Sequence, residues 1–190
     1  KVYPFAFALK ITYTLKEHDL EVCWEVVNND SETMYSTIGG HPAFRVPVRE
    51  GESQSDYRLA FEGLDTLTYL LIDTSVGTVL ADEPHTLSLE NGTCSIAPHM
   101  FDKDALVFDN GQIQKAGILF PDGTPYLTLT SEGFPNFGIW SVPGAPFVCL
   151  EPWMGRCDDC GFEKPLSEKA NINVLKPDEE FIKSYQITVH

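Results

Sequence analysis

Two short segments of this chain combine residues able to move protons with backbone chemistry that restricts them. One is Ile38-Gly39-Gly40-His41-Pro42-Ala43-Phe44, and the other is Phe147-Val148-Cys149-Leu150-Glu151-Pro152-Trp153. Proline disfavours the helical region for the residue before it, so His41 and Glu151 are both expected to be extended and conformationally restricted. A carboxylate and an imidazole both have pKa values adjustable toward neutrality, so together they can act as general base and general acid. Each also has a plainer reading. A histidine beside glycines is commonly a hydrogen-bonded structural group, and a carboxylate ending an apolar strand is commonly a salt-bridge or rim residue.

The elements that must position these groups read as strands. Phe5, Phe7, Leu9, Ile11, Tyr13 and Leu15 alternate with period two, predicting a strand with one buried face. Leu20 to Val27 repeats the pattern before an Asn28-Asn29-Asp30 turn, and Tyr57–Phe61, Leu67–Ile72, His85–Leu89 and Phe181–Val189 continue it. Asn91-Gly92 and Pro121-Asp122-Gly123 supply further turns. The best helical candidate, Leu166 to Ala170, is barely one turn, so an all-β sandwich or barrel forming a single domain over residues 1–190 is expected.

Composition removes several function classes. The 190 residues are 43% hydrophobic, enough for a core without metal or disulfide staples. With 28 acidic against 13 basic residues the net charge is −15, which opposes nucleic acid and anionic lipid partners. No apolar run has the length of a membrane span and no basic leader is evident, so the cytoplasm is the expected location. The five cysteines, an odd number, are expected to be thiols.

At the two opening segments the chain resembles the aldose 1-epimerases, or galactose mutarotases, and most closely their LacX-like branch. Three further stretches carry the resemblance in the same order: Asp104-Ala105-Leu106-Val107-Phe108, Phe137-Gly138-Ile139-Trp140 followed by Ala145-Pro146-Phe147, and Gly155 with Asp158. The resemblance implies an antiparallel β-supersandwich of galactose mutarotase type holding one sugar. It covers essentially the whole chain but only the later portion of the family domain, so an N-terminal truncation is expected, with sheet edges exposed for homodimer contact. By the same resemblance Glu151 is the catalytic base, His41 the general acid and Asp104 a substrate-binding carboxylate, with no cofactor and no metal. The implied reaction interconverts α and β anomers of a free hexose. His41 and Glu151 should then line one open cleft, without touching, so that a sugar's anomeric hydroxyl and ring oxygen lie between them.

Phe44 and Trp153 are expected to bind substrate, since an aromatic face suits the C–H side of a sugar ring, although aromatics placed like Phe44, Phe137, Trp140 and Trp153 are more often core than ligand platform. Arg45 could meet a phosphate or acidic sugar, but a surface salt bridge is the favoured reading. Cys157-Asp158-Asp159-Cys160 has CxxC spacing without a second pair, so reduced loop thiols are expected, and His85 and His99 read as structural. Two alternatives remain beside the enzyme: a non-catalytic carbohydrate-binding domain, and an inactive structural fragment.

Overall fold

The computed structural model describes residues 3–190. Two antiparallel sheets face each other. The larger runs, in spatial order, through Phe7–Lys16, Asp19–Asn28, Glu180–Val189, Pro125–Thr130, Lys115–Leu119, Arg58–Ala60 and Thr93–Ser95. The smaller orders Leu106–Phe108, Asn136–Trp140, Phe147–Met154 and Ile38–Gly39, with Ala43–Arg45 pairing with the first half of Phe147–Met154. Two 3-10 turns, Gln54–Asp56 and Leu166–Glu168, are the helical elements, and there is no α-helix among the described residues. The single turn expected near Leu166 is therefore present, in the tighter form.

The core forms where the alternating faces of the two sheets meet. Val22, Trp24, Leu59, Ile118, Leu127, Leu129 and Ile187 from the larger sheet pack against Leu106, Phe108, Phe137, Ile139, Val148 and Leu150 from the smaller. Turn chemistry places the hairpins. Asn91 and Gly92 both take positive φ, and Gly123 does so between Lys115–Leu119 and Pro125–Thr130, where Phe120 N–H donates to the Thr124 carbonyl at 2.9 Å.

One expectation about burial fails. The strand Phe7–Lys16 forms, in full register with Asp19–Asn28, but its apolar face is open: Phe7, Leu9, Ile11, Tyr13 and Leu15 are all exposed, the last at 76%. Leu9, Ile11 and Tyr13 lie opposite Val26, Trp24 and Val22, so the stripe continues the buried inner face past the point where the described residues cover it. Period two reports that a strand has an apolar face; whether another element lies over that face is decided elsewhere in the chain.

Candidate active site

Glu151 lies on Phe147–Met154, a strand buried along nearly its whole length because it is central in the smaller sheet. Alternation sends Val148 and Leu150 into the core and Cys149, Glu151 and Trp153 to the opposite face. His41 reaches that face from the link between Ile38–Gly39 and Ala43–Arg45. Two backbone hydrogen bonds clamp this link around Glu151: Gly40 N–H donates to the Pro152 carbonyl at 2.9 Å, and Leu150 N–H to the Pro42 carbonyl at 3.3 Å. His41 is thereby held across from the carboxylate, with Nε2 3.6 Å from Oε1. Its side chain is 60% exposed whereas that of Glu151 is 4% exposed, so the pair spans the boundary between solvent and interior. Trp140 packs edge-on against the imidazole, ring centroids 5.7 Å apart.

This distance corrects the expected separation. The two side chains face each other closely and leave no gap for a sugar between them. The anomeric hydroxyl and ring oxygen are bonded to one carbon, so a base and an acid side by side can reach both from a single side of the ring.

The electrostatics of Glu151 follow from its burial, which raises its pKa from 4.5 to about 7. The His41 charge and a hydrogen bond from the Trp153 side chain pull it down, and the negative charge of Asp104 pushes it up. Asp104 is thus electrostatically in touch with the pair. It adopts φ 76°, and its Oδ1 accepts the Ala105 N–H at 2.6 Å, a local bond that suits a short polar side chain in the left-handed region. Cys149, fully buried beside Glu151, has its thiol pushed up to about 12 by burial first and the Glu151 charge second.

Trp153 is half-buried and lies flat over two neighbouring strands. A Cβ on Gly39 would stand 2.4 Å from its Cδ1, and one on Gly138 would stand 2.4 Å from its Cζ2 and Cη2. Both positions are glycine because the indole occupies the space a side chain would need. A recess of ≈ 320 Å³ opens beside it, lined by Thr37, Ile38, Gly39, Gly155, Arg156 and Cys157. The sequence suggested a sugar platform; the Trp153 side chain also bears on Glu151, whose pKa it pulls down.

Two further expectations are corrected. Phe44 pairs with Val148 and packs against the main core, on the opposite face from Glu151, because it is one residue out of phase with Ala43 and Arg45. Arg45, expected in a surface salt bridge, makes none among the described residues; it is exposed, and its charge is felt by the Tyr126 hydroxyl. Cys157 and Cys160 belong to no group of three metal-ligand side chains among the described residues. His85 stacks on Tyr69 and His99 Nδ1 lies 2.8 Å from Asp102 Oδ2.

Beyond Trp153 lies a buried ionic network that sequence reading missed. Arg156, 8% exposed in its side chain, holds Asp109 through Nε and Nη2 at 2.8 and 2.7 Å, and its Nη2 lies 2.7 Å from Asp159. Asn136, opposite Trp153 in the sheet, donates to Asp109 at 2.7 Å. No local pattern joins residues this far apart in the chain. Cys149 was legible in principle, since period two puts it on the Glu151 face.

The fold and this face define an antiparallel β-sandwich of galactose mutarotase type. The chain belongs to the aldose 1-epimerase family, whose model matches residues 1–186. It is 30% identical to Protein LacX of Lactococcus lactis subsp. lactis, over 98% of this chain and 63% of that protein. A galactose mutarotase related enzyme from Lactobacillus acidophilus superposes with a TM-score of 0.90 at 28% identity, over 100% of this chain and 63% of the other. A galactose mutarotase-like protein from Lactobacillus casei gives 0.83 at 26% identity, over 99% and 65%. The chain therefore spans less than two thirds of the length of these relatives.

Proposed function

We propose that the protein of which this chain is part interconverts the anomers of a free hexose, with Glu151 as base and His41 as acid. The observation that carries this reading is the pairing of a buried carboxylate with an exposed imidazole at 3.6 Å on one face of the smaller sheet. Glu151 takes the proton of the anomeric hydroxyl while His41 delivers one to the ring oxygen. The C1–O5 bond then breaks and the carbonyl forms. Rotation about C1–C2 and the reverse transfers close the ring on its other face, returning both protons. Burial near neutrality suits Glu151 to this task, because a base that is half ionised at the working pH is also a competent proton donor on the return step. Asp104 accepts hydrogen bonds from ring hydroxyls and fixes the orientation. Net charge −15 favours neutral hexoses over their 6-phosphates.

Anomer exchange followed by NMR, with the spontaneous rate subtracted, tests the assignment on glucose, galactose and their 6-phosphates. Glu151→Gln and His41→Asn are each expected to lower the catalysed rate by roughly 10² to 10⁴ with little change in sugar affinity. A rate within a few-fold of the parent removes that residue from the mechanism. A full-length parent that binds sugar without accelerating exchange is a carbohydrate-binding domain instead.

A further inference from the structure

We propose that His41, Cys149 and Glu151 form a binding site for a borderline-soft divalent cation such as Zn²⁺, and that occupation silences the acid–base pair. The second half rests on the function proposed above; the first stands without it.

One ligand atom from each of the three residues lies within 4.8 Å of the other two. They supply nitrogen, sulfur and oxygen, the donor types from which protein zinc sites are built. In a tetrahedral site with bonds of about 2.0–2.3 Å, ligand atoms stand roughly 3.3–3.8 Å apart. His41 Nε2 and Glu151 Oε1 are already at 3.6 Å, and a closing of about 1 Å at most brings the three donors to that spacing.

The backbone keeps the donors together. Cys149 and Glu151 are two apart on one strand and share a face, and the link carrying His41 is tied to the same strand on both sides of Glu151. The Trp153 side chain shares the face and favours the charged carboxylate, the form that ligates a metal. Cys149 forms the floor and exposed His41 the entrance, leaving the solvent side for a water as fourth ligand. Three protein ligands and one open position is also the arrangement of catalytic zinc sites. Here the same ion would occupy the lone pairs that the base and acid use, so it would compete with sugar. Binding is an exchange without redox change: the thiol proton, and any proton on the imidazole nitrogen or carboxylate oxygen that ligates, leave as three bonds to the metal form.

The test is titration of chelator-stripped protein with ZnCl₂ by calorimetry, alongside CoCl₂ by absorption spectroscopy. The expected results are one equivalent bound, protons released, and a thiolate-to-cobalt charge-transfer band. Cys149→Ser should abolish the band, and both Cys149→Ser and His41→Asn should weaken zinc at least tenfold. His41 is exposed, so its variant reports on the site even where the cysteine variant fails to fold. A Cys157→Ser/Cys160→Ser double variant should bind as the parent does. Absence of binding at millimolar zinc, or affinity unchanged by His41→Asn, overturns the site, as does a band lost only in the double variant. If zinc binds as expected but leaves a measurable anomer exchange rate unaltered, the inhibitory half is overturned. Zinc binding by a full-length protein without exchange activity overturns the proposed function and leaves the site in place.

Discussion

Replacing Glu151 by glutamine should make the protein more stable at alkaline pH, and the structure sets the size of the gain. The folded carboxyl titrates at about 7 because burial penalises its charge, against 4.5 for a free glutamate. Between those values the native state holds a proton that the unfolded state has released. Stability therefore falls as pH rises through this window, with the loss complete above the folded value. At about 1.4 kcal/mol per unit, the full displacement corresponds to about 3 kcal/mol. Glutamine has the same shape and no charge to desolvate, so Glu151→Gln removes this penalty. The variant and parent should melt together near pH 4 and diverge to a difference of roughly 6–12 °C by pH 8.5, for a chain of this length. Thermal unfolding in EDTA across that range measures the divergence directly and needs no sugar. A melting difference that does not change with pH would show that the carboxylate is not held against its own desolvation, and would remove the physical basis for a near-neutral base.

Three other outcomes follow from the same coordinates. Trp153→Phe keeps the ring over Gly39 and Gly138 but deletes the N–H, so the Glu151 titration, read by NMR of labelled carboxyl carbons, should move up by roughly one to two units; an unmoved titration would return Trp153 to the role of sugar platform. Arg156→Ala leaves the half-buried Asp109 with Asn136 but without its guanidinium and should cost roughly 2–3 kcal/mol in urea unfolding, whereas a loss under about 1 kcal/mol would mean that water satisfies the pocket. Ile11→Lys sits in the middle of the exposed stripe on Phe7–Lys16 and should change stability by less than about 0.5 kcal/mol while suppressing any homodimer seen by analytical ultracentrifugation; a dimer that persists uses another surface.

The sequence alone determined what is local. Alternation along Phe147 to Trp153 already placed Cys149, Glu151 and Trp153 on a shared face, and the prolines at 42 and 152 already marked His41 and Glu151 as extended. Turn residues located the bends at Asn91-Gly92 and Pro121-Asp122-Gly123, because positive φ is a property of the residues themselves. Strand period and turns pointed to a sandwich or barrel, and the family resemblance supplied the supersandwich topology, which no periodicity could. Only the tertiary structure decided which face of each strand found a partner. Phe44 turns to the core while Ala43 and Arg45 turn away, and the apolar side of Phe7–Lys16 stays largely exposed, with Tyr3 packed on Phe7 at one end. The pairing of Arg156 with Asp109 and the 3.6 Å approach of His41 to Glu151 belong to the same category. A strand carries its period in its own residues. Its neighbours are selected by competition among all the apolar faces and buried charges of the chain, and that competition is settled only when the sheets close on each other.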